Sequence, residues 1–200
     1  MTILTTGRLR LEPIDDHHFE GLQAMNRLPE VMRFISGQPE TPEQTRAGIA
    51  LIKERWAKYG FSGWAFIERG GDKESDRLVG AGCIQYLGRD PANPLEIGWR
   101  LVPERWGQGL ASEAARAMAG WAFGTLGAAQ LCAICLPENA ASAKVMQRLG
   151  MRYRGLEDWH GSQHAVYAIT REEWAEKWLV HDAQRSPSGA PPPAPAACPD

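Results

Sequence analysis

The segment Gly107-Gln-Gly-Leu-Ala-Ser112 joins two closely spaced glycines to the start of an apolar helical pattern. Glycines in a turn let a ligand approach the backbone closely. The first turn of a helix presents amide N–H groups that lack intrahelical partners, at the end where the helix dipole is positive. Together these features make a cradle for an anion, most naturally a phosphate or pyrophosphate. A second polar group is Asn139 and Ser142, within Pro137-Glu-Asn-Ala-Ala-Ser142. Asn offers both donor and acceptor to an amide-bearing ligand, and Ser a hydroxyl. The same residues also suit a helix start, with Asn139 as cap and Ser142 in the first turn.

Two phosphate motifs can be tested against the glycines. The nucleoside-triphosphate loop requires Lys after its last glycine, and no Lys follows Gly107 or Gly109. The dinucleotide fingerprint requires Gly or Ala where Ser112 stands, although Glu138 could imitate its acidic ribose ligand. Only one strand–helix–strand crossover is visible, and no second βαβ unit follows it.

The elements that must position these residues follow from periodicity and punctuation. Arg8–Ile14 alternates as a strand, and Asp15 or Asp16 caps a helix to about Arg27. Pro29–Ile35 suggests a short helix. Thr41-Pro-Glu-Gln44 combines an N-cap, a first-turn Pro and a capping-box Gln, and predicts a helix to Tyr59 that ends at Gly60. Gly63–Glu68 and Leu78–Leu87 are strands around a hairpin loop over 69–76. Leu95–Val102 is the next strand, antiparallel to its predecessor. A helix opens at Leu110, with Ala114, Ala117, Met118, Trp121 and Ala122 on its apolar stripe. Gln130–Leu136 is a strand parallel to Leu95–Val102. A helix capped by Asn139 ends at Gly150. Met151–Glu157 and His164–Ile169 form a strand pair turning at Gly161, and Thr170-Arg-Glu-Glu173 starts a last helix. The result is a mixed sheet with helices on its faces. From Ser186 the Pro/Ala-rich sequence cannot build a core and is expected to be a disordered tail over 186–200.

The bulk numbers fit a single domain at 1–180 plus that tail. There are 200 residues, 44% hydrophobic and 23% charged, with a net charge of -2. The scattered Lys and Arg give no basic stripe for nucleic acid. No apolar run is long enough to span a bilayer, and the N-terminus has no signal-peptide pattern, so a cytoplasmic protein is expected. Cys132 and Cys135 have C-x-x-C spacing, but residues three apart on a strand face opposite ways. They are expected to be small buried thiols in a core strand, with no metal site. His17 and His18 open a helix and are expected to be solvated.

Four blocks together resemble the GNAT superfamily of N-acetyltransferases, nearest to the branch of ribosomal-protein N-terminal and aminoglycoside acetyltransferases. They are Leu4-Thr-Thr-Gly-Arg-Leu-Arg-Leu11, Leu95-Glu-Ile-Gly-Trp-Arg-Leu101, Arg105-Trp-Gly-Gln-Gly-Leu-Ala-Ser-Glu-Ala114, and Pro137-Glu-Asn-Ala-Ala-Ser142 with Arg148-Leu-Gly150. The resemblance spans roughly 8–175. The family writes its cradle Gln/Arg-x-x-Gly-x-Gly/Ala, so Trp106 stands where Gln or Arg is expected, and Met151 replaces the usual Phe.

The resemblance implies an α/β fold: a mixed, mostly antiparallel twisted sheet of about seven strands, splayed at the fourth and fifth, with helices on both faces. It implies acetyl-CoA as co-substrate. The pyrophosphate would lie on backbone N–H groups of Gln108, Gly109, Leu110 and Ala111, with the Ser112 hydroxyl. The pantetheine arm would pair with the backbone of Leu101 and Val102 and touch Asn139. Glu96 would be the base for a primary amine attacking the thioester, and Ser142 the acid for the leaving thiolate, with Tyr86 and Tyr153 as alternative donors. Trp64, Trp99, Trp159, His160 and His164 are candidates to line the acceptor pocket, and the hairpin 152–169 would cover it. The implied partner is an amine, a protein N-terminus or a small molecule, and the chain would be a monomer or homodimer. Two other classes compete: a CoA-binding sensor or interaction module without turnover, and a dinucleotide-binding domain.

Overall fold

The alternation of Arg8–Ile14 becomes strand β2 (Leu9–Pro13), with Leu9 and Leu11 fully buried on one face. In this computed structural model the described residues are 2–70 and 76–179. The tail, Cys198 and the tip of the 69–76 loop therefore lie outside them. A two-residue strand, β1 (Leu4–Thr5), pairs with β2. It is too short to show a period, which is why about seven strands were expected and eight are found.

The remaining elements follow the sequence pattern closely. Helices α1 (Phe19–Asn26), α2 (Pro29–Met32) and α3 (Pro42–Tyr59) come first. The α3 capping box forms as expected, with the Thr41 hydroxyl accepting from the Gln44 amide, and Gly60 ends the helix in the left-handed region. Then come β3 (Gly63–Glu68), β4 (Arg77–Tyr86), β5 (Leu95–Leu101), α4 (Leu110–Gly124) and β6 (Gln130–Cys135). The chain continues through α5 (Ala140–Leu149), β7 (Arg152–Trp159), β8 (Ser162–Thr170) and α6 (Arg171–Trp174).

The strands form one sheet in the order β1-β2-β3-β4-β5-β6-β8-β7, and β5–β6 is its parallel pair. Both faces are covered, and the two-residue period of β3 shows how. Trp64 and Phe66 join a core with Met118 and Trp121 of α4, while Ala65 and Ile67 join a second core with Leu22, Met25 and Ile49. Trp64 stacks edge-on against Trp56 and Trp121, at 4.9 and 5.3 Å between ring centroids. It is a core residue and does not line the main cleft described below.

The feature that makes a site is the junction of β5 and β6. They pair only at Leu95↔Leu131 and Glu96↔Cys132. Beyond that point β5 stays bonded to β4 as far as Leu101↔Gly80, and β6 stays bonded to β8 as far as Cys135↔Ala165. Each strand keeps its outer partner and loses its inner one, so a gap opens between them. The expected splay is present.

Candidate active site

Glu96 sits at the last β5–β6 pair, where the gap begins. It is only 9% exposed. Its cross-strand neighbour Gln85 donates an amide N–H to Glu96 Oε2 at 2.9 Å. Burial pushes the Glu96 carboxyl above its ordinary range, and the Gln85 bond and neighbouring His160, Arg89 and His164 oppose this without cancelling it. A carboxylate raised in this way is a better proton acceptor than a solvated one.

Glu96 opens into a cleft of about 730 Å³, which Asn139, Ser142, Trp99, His160 and His164 also line. Trp159 does not line this cleft; its ring lies 3.1 Å from where a Cβ on Gly88 would be. Asn139 caps α5, with its side-chain oxygen accepting from the Ser142 amide at 3.2 Å, so its Nδ2 is the group left to meet a ligand. Tyr86 lines a small side pocket, and Tyr153 is 53% exposed on β7, so neither lines the cleft beside Ser142.

The glycine turn adopts the backbone its composition implied. Gly107 and Gly109 lie at φ 74° and 81°. Gly109 is the N-cap of α4 and has no side chain with which to cap it. Glu113 makes the first backbone bond of the helix, to Gly109. Among the described residues, the amides of Gln108, Gly109, Leu110, Ala111 and Ser112 have no protein acceptor, and Ser112 Oγ is a buried hydroxyl without a partner. Unused donors at a positive helix end fit a phosphate group.

A residue that sequence reading passed over completes this corner. Arg8 donates from Nη1 to the Gln108 carbonyl at 2.9 Å, and from Nε to Glu113 at 2.7 Å. Glu113 also accepts from Thr6 Oγ1 at 2.6 Å and from the Arg8 amide at 2.8 Å. The Thr6–Arg8–Glu113 cluster thus ties the β1–β2 turn to the first turn of α4. Its signal was in the first resemblance block, but nothing in the sequence tied that block to Glu113, 105 residues away.

Of Leu101 and Val102, only one fits an arm lying in the gap. The Val102 amide donates to Val79, on the β4 side, at 2.9 Å. By strand alternation Trp99 and Leu101 turn their backbone groups the other way, toward the gap. There the Leu101 carbonyl accepts from the Trp106 indole at 2.8 Å. Trp106, the departure from the usual cradle spelling, thus holds the cradle loop to the end of β5.

The thiols are inert by position. Burial and the Glu96 charge push the Cys83 thiol up to about 12, and the same two influences push Cys132 up to about 12. Cys132 and Cys135 join different cores, as expected for opposite strand faces. His18 departs from expectation: it is buried. Its Nε2 faces Glu12 at 3.2 Å, and its Nδ1 accepts from the Asp15 amide at 3.1 Å. Glu12, His17 and His18 lie close enough together to hold a metal ion, but both His18 ring nitrogens are engaged in the fold.

A parallel strand pair parted over a buried carboxylate, with unused amide donors at the neighbouring helix start, has the geometry of an enzyme site. The family model described as "Acetyltransferase (GNAT) domain" matches residues 8–152, and the chain belongs to that family. It is an N-acetyltransferase, of a family that takes its acetyl group from acetyl-CoA and gives it to an amine. It is 37% identical over 180 residues to the uncharacterized N-acetyltransferase YnaD of Bacillus subtilis, covering 86% of this chain and 98% of that one. It is 29% identical over 185 residues to FsC-acetyl coenzyme A-N(2)-transacetylase of Aspergillus fumigatus, covering 86% and 77%. Among solved structures, the GNAT-family acetyltransferase of Bacillus anthracis superposes with a TM-score of 0.71 at 25% identity, covering 86% and 99%. The ribosomal L7/L12 α-N-protein acetyltransferase RimL, solved with coenzyme A, shares the fold at a TM-score of 0.69 and 18% identity, covering 84% and 98%. No helix among the described residues is long and apolar enough to cross a membrane.

Proposed function

We propose that this enzyme acetylates a primary amine, a protein N-terminus or a small molecule, by direct attack within a ternary complex, as in the ribosomal-protein N-terminal branch it resembles. The observation that carries this is Glu96, a buried carboxylate with a raised pKa at the mouth of the β5–β6 gap. Acetyl-CoA enters from the cradle side. Its pyrophosphate rests on the amides of Gln108, Gly109, Leu110 and Ala111 with the Ser112 hydroxyl. Its arm lies along the Leu101 edge of β5, with Val102 shaping the strand end and the Asn139 amide donating to it.

The acceptor enters through the cleft as an ammonium ion, which has no lone pair to donate. Glu96 takes a proton from it, directly or through one water. The free amine then attacks the thioester carbon, forming the C–N bond. Collapse breaks the C–S bond; the departing thiolate takes a proton from the Ser142 hydroxyl, and the proton that the new amide nitrogen sheds returns to the Ser142 oxygen through solvent. Direct transfer is favoured because Cys83 and Cys135, the thiols that line the cleft, are held protonated by burial and are poor nucleophiles.

The test joins a thermal shift with acetyl-CoA to an assay of CoA release over amines and N-terminal peptides. Stabilisation by acetyl-CoA and turnover with at least one amine are expected. No shift together with no turnover refutes the proposal. Tight acetyl-CoA binding without any acceptor would make the chain a sensor instead.

A further inference from the structure

The acceptor half of the cleft contains two guanidinium groups to which no carboxylate is bonded among the described residues. Arg55, on α3, is half-buried. Among the described residues its hydrogen bond is a long one, from Nη1 to Gln85 Oε1 at 3.5 Å. Arg89, exposed in the β4–β5 turn, has no hydrogen bond or ion pair among the described residues and lies at φ 65°. That backbone region is unfavourable for a residue with a side chain, and it follows Gly88 at φ 62°. Both arginines line the main cleft and also a smaller side pocket beside Gln85 and Tyr86. They lie close enough that Arg89, after burial itself, depresses the ionisation of Arg55.

The other charges of the cleft do not relieve this. Glu40 accepts from Asn26 Nδ2 at 2.8 Å and Thr45 Oγ1 at 2.9 Å, and its field acts on Arg100. Arg100 in turn donates to Asn26 at 3.1 Å. Arg33 is exposed over the Phe34 ring. Glu96 is held by Gln85; it feels the charge of Arg89 but is bonded to neither arginine. His160 and His164 face Glu96 from the β7–β8 hairpin and add no negative charge. Arg55, half-buried beside a like charge and bonded to no carboxylate among the described residues, is placed to take an anion from outside the fold, with the exposed Arg89 beside it.

We propose that the acceptor amine carries its own anion, a carboxylate or phosphate a few bonds from the nitrogen, and that Arg55 and Arg89 bind it. Gln85 fixes the spacing. Its amide donates to Glu96 and accepts from Arg55, so the base and the anion site lie one glutamine head group apart. An amino acid or a phosphorylated small amine spans that distance, with its ammonium on Glu96 and its anion on the guanidinia. This rests on the acetyl-transfer reading above and narrows its acceptor.

The full-length protein is assayed for CoA release with glycine, β-alanine, aspartate and glutamate against their amides, and with phosphoethanolamine against ethanolamine. The anionic member of at least one pair should exceed its neutral partner in kcat/KM by about tenfold or more, as charge-assisted bonds imply. The pair that responds identifies carboxylate or phosphate. Arg55→Gln and Arg89→Gln should each bring the ratio toward one and leave the KM for acetyl-CoA unchanged. Because each ratio is taken within one preparation, a partly unfolded variant does not distort it. Equal rates for charged and neutral partners, or a ratio that neither substitution moves, overturns the inference. So does faster turnover of peptides that begin with a neutral residue than of every charged acceptor. Silence of the whole panel, while acetyl-CoA still raises the melting temperature, overturns it alone. Silence with no such rise overturns the acetyl-transfer reading as well.

Discussion

Replacing Glu96 by Gln tests the base with little disturbance to the fold. The side chains are nearly isosteric, and the single bond from Gln85 can be kept by the new amide oxygen. Burial disfavours the ionised carboxylate in the folded chain, so Glu96 binds its proton more tightly folded than unfolded. It therefore lowers stability as pH rises from its unfolded pKa through its raised folded pKa, and that loss persists above. Gln removes the penalty, so E96Q should be at least as stable as the parent at neutral pH. Activity should move the opposite way. A positioned general base contributes about 10²–10⁴ in rate, or roughly 3–5 kcal/mol of barrier.

The assay is CoA release against pH, with melting temperature measured alongside. Parent kcat/KM should rise with pH on a limb set by Glu96, above the ordinary carboxylate range, because only the ionised form accepts a proton. E96Q should lose that limb and fall about a hundredfold or more at neutral pH. Its deficit should narrow as pH nears the pKa of the acceptor amine, since the solvent then delivers the amine already deprotonated. An E96Q enzyme within about fivefold of the parent, with the same acid limb, would place the base elsewhere.

Glu113→Ala removes the acceptor shared by Thr6 and Arg8; calorimetry should show a loss of about 1–3 kcal/mol, reduced from the full charged-bond value because Arg8 is half exposed, and the KM for acetyl-CoA should rise. Gly82→Ala should destabilise by about 1–3 kcal/mol in urea titration, because a Cβ there would lie 2.5 Å from the Phe66 ring and 2.6 Å from the Gly98 carbonyl. His18 is depressed by burial and by the charge of His17. The unfolded chain then binds the proton more readily, so stability should fall as pH drops through the unfolded histidine value, near 6.5. Between pH 7.5 and 5.5 the parent should lose more stability in urea than His18→Gln does, and equal losses would clear His18.

Where a local rule decides structure, the sequence was readable. Thr41-Pro-Glu-Gln44 and Gly60 fixed both ends of α3, because a capping box and a left-handed glycine act over four residues. The cradle was readable for the same reason, since it consists of backbone and two glycines. What stayed hidden depends on pairing between distant segments. His18 follows an acidic cap and reads as a surface residue until β2 brings Glu12 beside it. Val102 looked equivalent to Leu101 because alternation gives two edges but not which one faces the gap; the bond to Val79 shows that the Val102 amide faces β4. Arg55 and Arg89 lie 34 positions apart in unremarkable polar stretches, and only α3 and the β4–β5 turn bring them to one cleft.

The same reasoning explains why the two halves of the site must meet at Glu96. The cradle lies at the start of α4, outside the walls of the cleft, and the cleft's walls include α3, the ends of β5 and β6, and the β7–β8 hairpin. A continuous sheet would keep a thioester anchored on one side from an amine held on the other. The sheet is continuous from β1 to β5 and from β6 to β7, and it opens only beyond the Leu95 and Glu96 pairs. On the proposed function an acetyl group crosses through that opening, whose edge residue is a buried carboxylate. Shifting the β5–β6 register so that the strands paired further would close the passage without altering any residue in the cradle or the cleft. On the proposed function, position along the ladder, as much as side-chain chemistry, is what gives Glu96 the role of base.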